Sequence, residues 1–247
     1  MLKSGVCWLG VCGVLVVGGG AFPSGTARDV QAATPQEALS REAPSQEFLG
    51  RGAQEWVAQL RDSPDGSERF AAVSALTSLG PQHDGVSEAL IAALADESAL
   101  VRTGASRALG GFGARVAPVL LEAMARDSRV EIRAGVAPIL GNYVGDHDAV
   151  TPALAEALRN DADPGVRTAA ARGLSVAGVE AAGAVPALID ALRDQTPDVR
   201  QWSALALGRI GPEARAAVEA LTEVEADENE NRMVANAART ALRQIQR

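Results

Sequence analysis

Histidine is the side chain best suited to metal ligation or proton transfer near neutral pH, and it occurs twice, as His83-Asp84 and His147-Asp148. The pairs stand 147 - 83 = 64 residues apart. A lone His-Asp pair brings two donors where a protein metal site needs three or four, so both pairs read as ordinary solvated connections. Both cysteines, Cys7 and Cys12, fall in the apolar start of the chain, which leaves a processed protein without a thiol nucleophile or a disulfide. No serine has the G-x-S-x-G setting of a nucleophile elbow, and "GGFGAR" at 110 to 115 has neither the spacing nor the lysine of a phosphate loop. Carboxylates are plentiful but fall in turns and on polar helix faces, and no pair stands out as acid and base. The sequence therefore assigns no catalytic residue, cofactor or metal ligand.

Arginine is the chemically capable side chain that shows a pattern. Arg69, Arg102, Arg133, Arg167 and Arg200 recur at intervals of 33, 31, 34 and 33, with Ala235 in that place in a sixth, weaker copy. Around them "VRTGASRALGGFG" (101 to 113) returns as "VRTAAARGLSVAG" (166 to 178) and "VRQWSALALGRIG" (199 to 211). Such intervals mark stacked supersecondary units.

The elements that position these arginines follow from periodicity. Small or apolar residues lie three, six, seven and ten positions after each arginine, as Ala105, Ala108, Leu109 and Phe112 in one copy and Ser203, Ala206, Leu207 and Ile210 in another. That spacing is one stripe of a helix. Upstream lies a second apolar periodic segment, such as "VAPVLLEAMARDS" or "VPALIDALRDQTPD", with Pro118, Pro152 and Pro186 in its first turn, where a missing amide proton costs nothing. Gly110, Gly113, Gly178, Gly208 and Gly211 are placed to close the downstream helix. Each unit is then a helical hairpin, too small to bury its apolar face alone, and stacking supplies the core. Two copies depart from the pattern. Glu68 precedes Arg69 where the others are apolar, as a terminal unit tolerates, and Pro138 inside a second helix is expected to bend it or restart it. The last copy reads as a capping hairpin with a wet outer side.

The "D...VR..A..AL" elements, Asp96 with Val101 and Arg102, Asp161 with Val166 and Arg167, and Asp194 with Val199 and Arg200, resemble HEAT repeats, and more closely the short bacterial HEAT-like repeats associated with phycobilin lyase subunits. The resemblance implies an all-α fold, a right-handed α-α superhelix or HEAT-like solenoid of about six helical hairpins over residues 47–247. It also implies a structural ladder between repeats built from Asp96, Arg102, Arg133, Asp161, Arg167, Asp194 and Arg200. Some HEAT-like hydroxylases hold two irons with His-Glu pairs, and this sequence has no such pair.

Composition agrees with helical stacking. Hydrophobic residues make up 47% and aromatic ones 3%, so the interior is built from Ala, Val and Leu, which let helices approach closely. The net charge is -8 and Lys3 is the only lysine; an acidic chain repels phosphate backbones, and nucleic acid is not expected as a partner. Residues 1–21 have one early cation, an apolar run and then small residues, the order of a signal peptide or membrane anchor. This places the chain as exported, in the periplasm or cell envelope. Residues 22–46, with Pro23, Pro35 and Pro44, read as a flexible linker in which Thr34, Pro35 and Glu37 form one capping box.

Function is then expected on the solvent side of the second helices. Helical geometry places there Thr103, Arg107 and Gly110, then Thr168, Arg172 and Ser175, then Gln201, Leu205 and Arg209, with Trp202 at the border. The expected partner-binding groove is Arg107, Arg172, Trp202, Arg209, Thr103, Thr168 and Gln201. A tryptophan flanked by arginine suits an interface anchor, and it equally suits a packing residue over the neighbouring repeat. The expectation is a non-catalytic scaffold with a protein partner, a possible membrane tether and no signal for homo-oligomers. The alternatives are an enzyme accessory of the lyase-associated kind and, less in keeping with the charge, a nucleic-acid-binding repeat.

Overall fold

A computed structural model of the chain describes residues 47–146 and 148–247. The leader or anchor at 1–21, the linker at 22–46 with its capping box, both cysteines and His147 lie outside the described residues.

Among the described residues, two-residue strands come first. β1 (Glu47–Phe48) pairs antiparallel with β2 (Arg51–Gly52) through a turn in which Leu49 and Gly50 both have positive φ. This small hairpin covers the open end of the first repeat. The Phe48 carbonyl accepts from Trp56 Nε1 at 3.2 Å, and the Arg51 guanidinium lies 4.0 Å from the centre of the Trp56 ring.

Six helical hairpins follow. They are α1 (Ala53–Asp62) with α2 (Gly66–Leu79), α3 (Val86–Ala92) with α4 (Ala99–Gly111), α5 (Ala117–Arg126) with α6 (Val130–Leu140), α7 (Val150–Asn160) with α8 (Pro164–Ala177), α9 (Val185–Ala191) with α10 (Pro197–Ile210), and α11 (Val218–Ala226) with α12 (Arg232–Ile245). First helices pack beside first helices and second helices beside second helices, giving the two layers of an all-α solenoid.

Local sequence explains the boundaries. Asp65, Asp163 and Asn231 cap α2, α8 and α12 by accepting from backbone N–H groups two residues on, which satisfies donors that a helix start leaves open. Pro164 and Pro197 open α8 and α10, and Pro118 and Pro186 stand second in α5 and α9. Gly113, Gly178 and Gly211 follow second helices with φ of 74°, 58° and 74°, a conformation that side-chain-bearing residues rarely adopt. Gly110 and Gly208 do not close helices as expected; both lie inside them. At Gly208 the reason is packing, since a Cβ there would lie 2.9 Å from Ala241 Cα on α12.

At Pro138 one of the two expected outcomes, a restart, does not occur. α6 runs through it without restarting and ends two residues later, leading directly into a 3-10 segment, Gly141–Asp146. A proline in the last turn removes one backbone bond close to where the helix stops, so α6 has 11 residues against 14 in α8 and α10.

The core is one continuous cluster running from Ala53 to Ile245. Leu76, Leu109, Leu174 and Leu207 are fully buried at equivalent places of four second helices. The stripe residues Ala105, Ala108, Leu109 and Phe112, and Ser203, Ala206, Leu207 and Ile210, all face inward. Between them sit alanines that let the layers close.

Candidate partner-binding surface

The arginine row occupies the fourth position of the second helices, where each side chain reaches back and forward at once. In α8, Arg167 Nη1 donates to the carbonyls of Asp161 and Ala162 in its own turn at 3.0 and 3.3 Å. Its Nε and Nη2 donate to both oxygens of Asp194, in the next turn, at 2.8 and 3.1 Å. Arg133 repeats this toward Asp161 at 2.8 and 3.0 Å, and Arg69 toward Asp96 at 2.8 and 2.9 Å. Arg200 does so toward Glu230 at 2.7 and 2.5 Å. The aspartates are fixed in turn, because Asp161 Oδ1 also accepts from its own turn's Asp163 N–H and Asp194 Oδ1 from Thr196 N–H. The bound guanidinium holds the Asp161 and Glu230 carboxyls below the ordinary carboxylate range.

Arg102 breaks the row. Its Nη1 donates to the carbonyls of Asp96 and Glu97 at 2.7 and 2.9 Å, but no carboxylate meets its Nε and Nη2 edge among the described residues. The aspartate that would do so, Asp127, is held within its own turn by Arg129, at 3.0 and 2.9 Å. Two sequence features accompany this. Arg129 occupies a turn position filled by Ser98, Asp163 and Thr196 in other repeats. The connection from α4 to α5, residues 112–116, is also shorter than Gly178–Ala184 or Gly211–Ala217.

Helix packing follows the break. α4 and α6 touch less than any other neighbouring pair of second helices, and a cleft of about 560 Å³ opens between their N-terminal halves. Arg102, Thr103, Ser106 and Arg107 line it from α4, Glu131, Ala134 and Gly135 from α6, and Leu94 adds an apolar side chain. At the opposite end the same two repeats are tied, because the buried Tyr143 hydroxyl donates to the Leu109 carbonyl at 2.7 Å. Burial raises the Tyr143 pKa and keeps it a donor.

The remaining groove residues gather on α8 and α10. The Arg172 guanidinium lies 5.3 Å from the centre of the Trp202 ring, within the range of cation-π attraction. Trp202 is half-buried and packs against the core, so one face is packing and the other is offered to Arg172. Arg209 Nη1 donates across to the Ser175 carbonyl at 3.2 Å. Thr168 turns its hydroxyl back to the Pro164 carbonyl at 2.8 Å, and Gln201 is half-buried beside it in sequence register on α10. Ser175 is buried rather than solvent-facing. The arginine line is also interrupted, since α6 places Ala134 and Pro138 where α4 and α8 have Thr103 with Arg107 and Thr168 with Arg172. The surface is therefore two patches, one at α4 with α6 and one at α8 with α10.

His83 is half-buried rather than solvated, and its Nε2 is enclosed without a hydrogen-bond partner among the described residues. No group of three His, Cys, Asp or Glu side chains that could hold a metal occurs among them.

Two stretches, residues 53–141 and 151–243, match the family model of HEAT repeats. The chain belongs to the HEAT-repeat family. No curated protein matches the sequence. Among solved structures, an engineered protein is 21% identical with a TM-score of 0.51, covering 79% of this chain and 99% of that one. The complex of CpcE and CpcF of phycocyanin lyase from Nostoc sp. PCC7120 is 23% identical with a TM-score of 0.44, over 81% of this chain and 78% of that one. Computationally designed armadillo repeat proteins for modular peptide recognition are 20% identical with a TM-score of 0.46, over 77% and 98%. At 21% identity the engineered protein shares the fold with the HEAT-repeat chain, and nothing finer follows.

Proposed function

We propose that this HEAT-repeat chain is a non-catalytic adaptor that holds a protein partner along the exposed side of its second helices. The observation that carries the reading is the pairing of Arg172 with Trp202 across α8 and α10, because tryptophan and arginine dominate interface energetics and here stand pre-positioned on rigid helices. The arginines add a second support. In a chain of net charge -8 with a single lysine, Arg107 and Arg172 are exposed cations that make no ion pair among the described residues. Stacked hairpins of this kind form extended binding surfaces.

The same proposal places the protein outside the cytoplasm, exported or tethered through residues 1–21, on the order of cation, apolar run and small residues there. Fractionation of the native cells, with N-terminal sequencing of the mature chain, tests that part. Recovery in the cytoplasm with Met1 retained overturns it.

Replacing Arg107, Arg172 and Trp202 together with alanine tests the surface. The expected result is loss of the partner recovered with the wild-type chain from cell envelopes, with unchanged helical circular dichroism. Undiminished recovery by the triple variant rejects this surface. Pigment or metal co-purifying with the wild-type chain would instead favour an enzyme accessory.

A further inference from the structure

The break in the arginine ladder leaves a guanidinium edge whose chemistry the rest of the molecule defines. On Arg69, Arg133, Arg167 and Arg200 the Nε and Nη2 edge is filled in every case by a carboxylate, gripped through two bonds of 2.5 to 3.1 Å. Arg102 is held at the same helix position by the same pair of carbonyl contacts on Nη1, so its edge is pre-oriented without an occupant. It lines the cleft of about 560 Å³ between α4 and α6, which has room for a side chain from another protein. Arg107 lines the same cleft as a second cation, and Thr103 and Ser106 add hydroxyl donors. One acidic residue, Glu131, also lines it on the α6 side and is exposed. One cation held by its carbonyl contacts, Arg102, one exposed cation, Arg107, and two hydroxyls face that single charge, and the local balance favours an anion although the whole chain is acidic.

Resting on the adaptor reading above, we propose that this seam receives a carboxylate of the protein partner, an aspartate or glutamate side chain, on the free edge of Arg102, with Arg107 as the second contact. The incoming acid takes the place that Asp194 takes for Arg167. Fork geometry suits a planar carboxylate, whose two oxygens would meet Nε and Nη2 as those of Asp194 do on Arg167. The partner therefore completes the ladder at the one junction where the chain does not complete it for itself.

The test uses the full-length chain and short synthetic peptides followed by the NMR signals of the arginine Nε–H groups. The first peptide is acetylated, amidated and carries two central glutamates; the second has glutamines there; the third is the glutamine peptide with a free C-terminal carboxylate. Saturable shifts of the Arg102 and Arg107 signals with the first peptide, absent with the second, are expected. A response to the third but not the first would assign the site to a chain terminus and overturn the side-chain reading. Arg102→Ala should weaken binding roughly tenfold, as the loss of one charge-assisted pair implies, and Arg102→Lys should fall between, keeping charge without the fork. No saturable shift in the wild-type chain, or equal binding by Arg102→Ala with an unchanged fold, overturns the proposal. Arg172→Ala with Trp202→Ala should leave the peptide response intact. If peptide binding fails while partner capture still depends on Arg172 and Trp202, the adaptor reading stands and this chemistry does not.

Discussion

Arg167 shows how one side chain can join two repeats: the Nη1 end satisfies two carbonyls of its own turn and the other edge fixes the next turn's Asp194. Both partners keep only 17% and 13% of their side-chain surface exposed, so the bonds are shielded more than those of a surface pair. Arg167→Ala should cost about 2 kcal/mol, the scale of hydrogen bonds to charged groups, read from urea unfolding. Arg102→Ala should cost less than Arg167→Ala, by about 1 kcal/mol, because it breaks the carbonyl contacts but no carboxylate pair. Equal losses would contradict the ladder assignment. The same pairs set an acid dependence. Bonding to Arg133 lowers the Asp161 pKa from its ordinary 3.8, and bonding to Arg200 lowers that of Glu230 from 4.5. A carboxyl whose folded pKa is depressed stabilises fully above its unfolded value and stops doing so as pH falls through the folded one. Stability should be flat from neutral pH down to about 5 and fall below about 4, and Asp161→Asn should remove part of that fall in acid titrations followed by circular dichroism.

Elements of this fold are shaped by where they approach one another. α8 passes close to α6 because it presents Gly173, whose added Cβ would lie 2.5 Å from the Ala137 carbonyl oxygen and 3.3 Å from Leu154. Backbone on one side cannot yield as a flexible side chain does. Gly173→Ala should therefore destabilise by about 1–3 kcal/mol, the usual scale of overpacking, although alanine is the better helix former by about 1 kcal/mol. A neutral or stabilising result in thermal melts would show that the two helices can part at little cost. α6 owes its shortness to Pro138, and the 3-10 segment after it carries Tyr143 inward to Leu109. Tyr143→Phe leaves that carbonyl with only the Phe112 N–H, at 3.2 Å, as its partner, with an expected cost of about 0.5–1.5 kcal/mol.

In a stack of hairpins each repeat is stabilised by its neighbours, so overall stability is divided among junctions rather than held by one centre. The junctions here are unequal. Four carry a bidentate ladder pair, while that of α4 with α6 lacks one and opens into a cleft. Opening should begin at this junction. Hydrogen exchange by mass spectrometry is expected to show α1 to α4 exchanging as a unit separate from α5 to α12. A carboxylate peptide should draw the two units together in rate. Uniform exchange along the stack would mean that the apolar contacts at the seam suffice without the ladder.

Repetition in the sequence by itself determined the hairpins, the inward stripe and the helix starts, because the 3.6-residue period, prolines at first turns and glycines after helices act within a few residues of chain. The interval of 31 between Arg102 and Arg133 is the shortest of the four, but that spacing alone does not reveal the break at the junction. Three matters were decided only in the tertiary structure. Asp127 goes to Arg129 rather than to Arg102, Pro138 is absorbed by ending α6, and Gly208 serves a close approach rather than a helix end. Each is a competition between near and distant partners for the same atom or the same space. Spacing along the chain fixes which groups can meet, and only the packed distances between helices decide which of them do.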